Sequence, residues 1–274
     1  MSAVAVPDAR RSARGARVVR NKLGEWLPAL VVFVLVVGLW EGLVRALHVQ
    51  QFLLPKPSTI VTVFWTQRHT LWPAGWYTFK EALGGFAIGS GLGIVAATVV
   101  GRFRTAGKAL MPIFIAANAV PIIAFAPIFG AWFNPISPRS KMAVAGVLCF
   151  LPVMVNTLRG LQSAKPRQLE LMRSYAASEL EIWRRVRVPT ALPFVFTSLK
   201  VASVLAMIGA IVGEYFGGAL NALGVLINSS AEVFQFPLAW AGILVASLLG
   251  IALYGAVAGA ERLVVRWAPD TRDA

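Results

Sequence analysis

Long apolar runs separated by short polar segments dominate the pattern of this chain. Six windows of about 20 residues are almost free of charge: 27–46, 81–101, 109–132, 141–158, 194–216 and 238–260. A helix of about 20 residues crosses about 30 Å of hydrocarbon. The runs are continuously apolar rather than alternating, which favours helices over a β-barrel. The pattern predicts an all-α, polytopic membrane protein with about six transmembrane helices.

The same pattern divides the chain into segments. They are a basic tail (1–26), the first span (27–46), an outer loop with an interfacial helix (47–80), a core (81–262) that includes the polar loop 159–192, and a C-terminal tail (263–274). The first apolar run is too long for a signal peptide and lacks a cleavage site, so we expect an uncleaved helix. In the outer loop, we expect Ser58 to cap an amphipathic helix. Glu41 and Arg45 are spaced to pair on the first helix.

The charge distribution fixes the expected orientation. The net charge of +14 suggests nucleic-acid binding at first sight. If the N-terminus is inside, however, inner segments hold 19 Lys and Arg residues and outer segments hold 5. This asymmetry is the positive-inside pattern, and it predicts cytoplasmic termini. We therefore expect a multi-pass membrane protein that contacts anionic lipid and does not bind nucleic acid.

The loop 159–192 is the one long polar segment between apolar runs, and it predicts two short helices. Pro166 suits the first turn of a helix, and Leu169, Met172 and Ala176 then form an apolar stripe. We expect a bend at 175–178.

Ser178 and Glu181 form a capping-box pattern that starts the second helix. Leu180, Trp183 and Val186 would be its apolar face, Pro189 would end it, and Pro193 would open the next span. From the residues alone, the outer face of the loop suits a soluble partner and a lipid surface equally well.

The segment ELMRSYAASELEIWRRVRVP resembles the cytoplasmic loop motif of ABC importer permeases, which reads E-A-A, three residues, Gly, nine residues and I-x-L-P. Glu170 matches the leading Glu, Ala176 stands at the Gly position, and 186–189 match the end of the motif. Leu171 and Met172 depart from the two alanines.

The resemblance covers about residues 50–267 and is nearest to permeases for nitrate, sulfonates, taurine and related nutrients, a branch that includes pyrimidine-precursor and flavin permeases. There, LLPKPS (53–58), the proline-rich third span and GEYFGG (213–218) have similar counterparts.

This resemblance implies a type I ABC importer permease that works as a homodimer with two ATPase subunits and an external solute-binding protein. The ATPases would use ATP and Mg²⁺, and this chain would bind no cofactor. The residues that it assigns to ATPase coupling are Glu170, Leu171, Met172, Arg173, Ser174, Tyr175, Ala176, Ala177, Ser178, Val186 and Pro189. Arg184, Arg185 and Arg187 would contact either the ATPase or lipid headgroups.

No string in the chain predicts catalysis. GRFRTAGKA (101–109) has five residues between its glycines and ends in Ala, so it does not match a phosphate-binding loop. His48 and His69 are well separated, and unliganded histidines are favoured over a metal site. We expect a transport subunit that is not an enzyme.

Three residues are candidates for the translocation path. Asn118 and Pro121 lie in the third span, where each proline leaves a free carbonyl. Glu214 lies near the outer end of the fifth span, where a charge needs a cavity, a partner or the headgroup level. In the second span, Gly85, Gly89 and Gly93 predict close approach by another helix, for sliding or for static packing.

Two other classes of protein stay open. A transporter driven by an ion gradient should show inverted repeats and buried coupling charges, and the sequence has no clear repeat and few such charges. A membrane scaffold or membrane enzyme is the second alternative, and no reactive cluster supports the enzyme.

Overall fold

A computed structural model describes residues 9–102, 112–113, 116 and 121–267, and every regular element in these ranges is helical. In chain order the elements are α1 (Ala9–Ala46), α2 (Pro57–Thr66), α3 (Arg68–Arg102), a 3₁₀ turn (Ile122–Phe125), α4 (Ala126–Phe133), α5 (Pro138–Gln162), α6 (Pro166–Ser174), α7 (Glu179–Ile182), a π turn (Trp183–Arg187), α8 (Val188–Tyr215), α9 (Leu223–Glu232) and α10 (Phe236–Val264).

Five stretches of the described residues are long and apolar enough to cross a membrane. They are Leu27–Ala46, Arg68–Arg102, Pro138–Gln162, Glu179–Tyr215 and Phe236–Val264. These stretches overlap five of the six predicted spans. The remaining predicted span is the third in the chain, 109–132. Most of its first half, 109–120, lies outside the described residues, and its second half contains the 3₁₀ turn and most of α4.

Two predicted helix boundaries were wrong. The second span was expected at 81–101, but α3 begins at Arg68, inside the segment taken as outer loop. The fifth was expected to begin after Pro189, but the helix runs from Glu179 to Tyr215. Near Pro189 the turn widens, and the Val188 N–H donates to the Trp183 carbonyl five residues back. The π turn thus lets the helix continue past a residue that has no N–H to donate.

Residues 1–62 and 63–274 form two compact units. In the first unit, Glu41 pairs with Arg45 at 2.7 Å, as the spacing predicted. The Ser58 hydroxyl donates to Glu41 at 2.8 Å. Ser58 is therefore not the helix cap that we expected, because α2 already begins at Pro57.

In the second unit, α3, α5 and α8 pack against one another, and α9 and α10 pack on α8. A glycine seam, Gly85, Gly89 and Gly93, lets the backbones of α3 and α5 meet. A Cβ at Gly89 would lie 2.1 Å from the Gly146 carbonyl oxygen, and one at Gly93 would lie 2.8 Å from the Phe150 carbonyl oxygen. The predicted close approach is confirmed, and the partner is α5.

Candidate functional site

The polar loop folds into the two short helices that its sequence predicts. Pro166 opens α6, and the Lys165 N–H donates to the Gln168 side chain at 3.2 Å. Ser178 starts α7, where its hydroxyl accepts the Glu181 N–H at 3.3 Å and the Glu181 carboxylate accepts the Ser178 N–H at 2.9 Å. The predicted capping box is confirmed.

The bend between α6 and α7 has a defined backbone. The Ala177 N–H donates to the Met172 carbonyl at 3.1 Å, and the Ala176 N–H donates to the Arg173 carbonyl at 2.9 Å. These two bonds form a Schellman motif, which places Ala176 at its left-handed position with φ of 53°. Glycine normally occupies that position because it has no Cβ. The position matches the Gly of the family motif, so the resemblance there has a geometric basis.

The faces of the loop helices differ in part from the predicted stripes. Leu169 and Met172 are half-buried as expected, whereas Leu171 and Tyr175, one turn apart on α6, are 55% and 74% exposed. They form an exposed apolar face of the loop, bordered by Glu170, Arg173 and Ser174.

In the second helix, the expected apolar face included Leu180, but Leu180 is 60% exposed and Ile182 is buried. The Trp183 ring packs near Gly101 at the end of α3, which fits this orientation. Val186 in the π turn and Pro189 in α8 are half-buried.

An ion pair crosses the bend of the loop. Arg173 on α6 lies 3.6 Å from Glu179 on α7, and both side chains are more than half exposed. A solvated pair of this kind contributes little stability, so the Schellman motif and the capping box are the main determinants of the bend. Among the coupling candidates, Ala177 is half-buried and Ser178 is exposed.

Glu214, at the other end of α8, lies in a buried polar cluster and is 1% exposed. Its carboxylate accepts the Thr78 hydroxyl at 2.6 Å and the Gly224 N–H at 2.5 Å. The Leu223 N–H donates to the Thr78 hydroxyl oxygen at 2.9 Å. Glu214 and Thr78 together fasten the first turn of α9 to α8 and α3.

Glu81 and Lys141 complete this cluster and are 2% and 1% exposed. The Lys141 ammonium donates to the Pro135 carbonyl and lies 3.5 Å from the Ser137 carbonyl. One oxygen of Glu81, Oε2, has no hydrogen-bond partner among the described residues. Sequence reasoning missed both residues because it placed them at the ends of predicted spans. The usable signal was the spacing of Thr78 and Glu81, which puts them on one face of α3.

The other two path candidates, Asn118 and Pro121, come from the predicted third span. Asn118 lies outside the described residues. Pro121 is exposed, and its carbonyl accepts the Ala124 N–H at 2.9 Å at the start of the 3₁₀ turn. Glu214 is hydrogen-bonded to Thr78 and Gly224, not to Pro121, in the part of the chain that the structure describes.

A groove of about 580 Å³ runs along α8 and α10. Its lining residues are Val204, Met207, Ile208, Ile211, Tyr215, Ile227, Ile243, Ala246, Ser247, Gly250, Ile251 and Tyr254. None of these lining side chains carries a formal charge, and the Tyr215, Ser247 and Tyr254 hydroxyls supply its polar groups.

Comparison with known proteins gives consistent matches. The family described as binding-protein-dependent transport system inner membrane component matches residues 89–266. The riboflavin transport system permease protein of Chloroflexus aurantiacus is 32% identical over 89% of this chain and 91% of that protein. The formylaminopyrimidine transport permease protein of Halalkalibacterium halodurans is 33% identical over 88% of this chain and 96% of that protein.

A solved structure supports the fold. The MetNI methionine ABC transporter, in inward-facing conformations, aligns with a TM-score of 0.51 at 20% identity, over 75% of this chain and 97% of that chain. The predicted all-α fold of the type I ABC importer permeases is confirmed.

Proposed function

Because the chain belongs to the family of binding-protein-dependent transport system inner membrane components, we propose that two copies of it form the path of an ABC importer. The chain is the membrane-spanning permease subunit and has partners of the ATPase and solute-binding classes. In the proposed complex, each copy engages one ATPase on the inner side, and ATP and Mg²⁺ are bound by the ATPases.

The exposed apolar face of the loop supports the proposed site of ATPase coupling. Leu171 and Tyr175 are exposed one turn apart in a short polar helix, the pattern by which a helix fills a groove on a partner. Docking buries two large apolar side chains, each contributing about 1.5–3 kcal/mol. Motion of α6 then reaches the membrane through the Schellman bend and the continuous helix Glu179–Tyr215, which is about 55 Å long at 1.5 Å per residue.

Co-purification with the ATPase tests this coupling proposal. Leu171→Ala and Tyr175→Ala should each weaken ATPase association by about tenfold or more, while membrane insertion is unchanged. Gln162→Ala changes an exposed residue outside α6 and is the matched control. Full association of both α6 variants would contradict this docking face.

Homodimerisation is tested by native mass measurement of the purified complex. We expect two permease chains and two ATPases per particle. A transport-competent complex with a single permease chain would contradict the proposal.

We infer that the transported nutrient is a small heteroaromatic compound of the pyrimidine or flavin type. Two relatives above 30% identity bear the names of such compounds. The groove along α8 and α10 suits this class, because apolar walls with a few hydroxyls bind flat rings with little charge. Nitrate and sulfonates would need cationic or N–H donors that this lining lacks.

Binding and uptake assays separate the substrate classes. The partner solute-binding protein is titrated by calorimetry with riboflavin, formylaminopyrimidine, taurine and nitrate, and uptake of each is measured in proteoliposomes. We expect binding and uptake of one of the two ring compounds. Binding of taurine or nitrate alone would contradict the inferred class.

The groove is tested as part of the path by a matched pair of substitutions. Ser247→Trp places a large ring in the groove and should abolish uptake, whereas Leu248→Trp changes a neighbouring exposed residue outside the lining. Both variants should retain the ATPase. Equal uptake by the two variants would exclude the groove from the path.

The proposed orientation places both termini and the loop 159–192 in the cytoplasm of a bacterium. With the single cysteine removed by Cys149→Ser, a membrane-impermeant maleimide on intact cells should label Ser229→Cys and leave Ser163→Cys unlabelled. The opposite labelling pattern would reverse the orientation.

A further inference from the structure

The buried polar cluster lies at the end of the bundle away from the polar loop. Glu214 is 26 residues beyond Val188, which corresponds to about 39 Å along α8 at 1.5 Å per residue. Lys141 lies in the first turn of α5 and Glu81 in the first half of α3. The cluster therefore lies against the first turn of α9, which belongs to segment 217–237, the outer segment in the proposed orientation, and it is remote from the coupling loop.

Hydrogen bonding assigns the charge of Glu214. Its Oε1 accepts the Thr78 hydroxyl and its Oε2 accepts the Gly224 N–H. Both oxygens thus act as acceptors, as in an ionised carboxylate. Glu81 lies one turn after Thr78 on the same face of α3, so its buried carboxyl belongs to the same cluster. Two buried carboxyl groups beside the single ammonium of Lys141 are balanced in charge only when one of them carries a proton, and that group is Glu81.

The remaining atoms of the cluster fit this assignment. The unpaired Oε2 of Glu81 is tolerated more easily as the carbonyl oxygen of a neutral acid than as part of a buried carboxylate. The ionisable groups that face the pair are Lys141 from α5, Tyr77 from α3 and Tyr215 from α8. With Lys141 positive, Glu214 negative and Glu81 neutral, the cluster has no net charge, which a low-dielectric interior favours.

We propose that Glu81 and Glu214 form a one-proton site whose bound proton holds the start of α9, and with it the outer segment 217–237, against the bundle. Release breaks the Glu81 O–H bond and transfers the proton to water. Two neighbouring buried carboxylates then repel each other. Glu214 then moves away from Glu81. The Leu223 and Gly224 N–H groups lose their acceptors, which are the Thr78 hydroxyl and the Glu214 carboxylate. This control of the outer segment is independent of which nutrient is transported.

Infrared spectroscopy of the ATPase-bound protein in nanodiscs tests the proton directly. With ¹³C-labelled glutamate, we expect an isotope-shifted band of a buried protonated carboxyl at neutral pH. The band should disappear in Glu81→Gln, which can still donate a hydrogen bond to Glu214 but carries no exchangeable carboxyl proton. Glu232→Gln, which changes an exposed carboxyl on α9, should retain the band. Absence of the band in the wild-type protein would overturn the proposal.

Hydrogen exchange of peptides spanning 219–232 tests the mechanical part. Wild-type protein should lose protection there by about tenfold or more at alkaline pH, together with the infrared band. Glu81→Gln, measured at the same pH so that intrinsic exchange is identical, should stay protected. Two results would overturn the proposal. One is wild-type protection that does not change with pH, and the other is protection that changes with sodium concentration at constant pH. The measurements on the wild-type protein do not depend on the folding of any variant.

Discussion

The contact between α3 and α5 makes a sharp prediction about Gly89. Replacing Gly89 by Ala adds a methyl group whose carbon would lie 2.1 Å from the Gly146 carbonyl oxygen and 2.7 Å from the Gly146 Cα. An ordinary carbon–oxygen contact is about 3.3 Å or longer. The two helices must therefore separate by about 1 Å at this point.

Separation costs more than the local clash. The neighbouring contacts at Gly85 and Gly93 open with it, and a radial gap of about 1 Å removes up to about half of the dispersion attraction of each atom pair. Overpacked sites typically cost about 1–3 kcal/mol, and this one lies at the upper end because the opposing atoms belong to a backbone. A loss of about 3 kcal/mol in the free energy of unfolding should lower the melting temperature by roughly 6–12 °C.

Gly91 provides the matched control on the same helix. A Cβ at Gly91 meets no atom within 4 Å, so Gly91→Ala should be neutral or should raise stability by up to about 1 kcal/mol through helix propensity. Thermal unfolding of both variants in the same detergent, followed by intrinsic tryptophan fluorescence, measures the difference. Equal melting temperatures for Gly89→Ala and Gly91→Ala would refute the contact between the α3 and α5 backbones.

Three further predictions concern the loop, the cluster and the inner end of the bundle. Ala176→Gly keeps the left-handed conformation but removes the Cβ that makes it cost about 1–2 kcal/mol, so this change should raise the melting temperature. Ala176→Val should lower it, and the reverse order would contradict the Schellman assignment. Glu214→Ala should abolish uptake in proteoliposomes and leave membrane insertion and ATPase association intact, and wild-type uptake would remove Glu214 from any role in transport. Lys200 Nζ and Glu261 Oε2 lie 2.7 Å apart, and both side chains are less than one-quarter exposed. A double-mutant cycle with Lys200→Met and Glu261→Gln should therefore give a coupling free energy of about 1 kcal/mol. Additive effects of the two substitutions would show that the pair is not coupled.

Features that depend on local spacing could be predicted from the sequence. Hydropathy windows found five of the six predicted spans among the described residues, because a span is a property of consecutive residues. The capping box at Ser178 and the Gly85–Gly93 repeat were also predicted, since each depends on residues within two turns of one helix. Glu41 and Arg45 pair for the same reason.

Features that depend on distant residues could not be predicted in the same way. Thr78 and Glu214 are 136 residues apart in the chain, and no local pattern indicates that they meet. The orientation of the second loop helix fits the packing of Trp183 near Gly101, so the choice between Leu180 and Ile182 for burial needed the tertiary structure. A proline normally ends a regular α-helix, and only the adjacent π turn shows how the backbone continues past Pro189.

The tight seam between α3 and α5 restricts how this permease can change shape. Its glycines recur every four residues, so a shift of less than one repeat would press bulkier side chains into a backbone that has no space for them. We therefore expect the two helices to travel as one rigid body through the transport cycle. We expect relative displacement at the contact between α8 and α10 instead, where a Cβ at Gly250 would meet the Met207 side chain only at ordinary van der Waals distance.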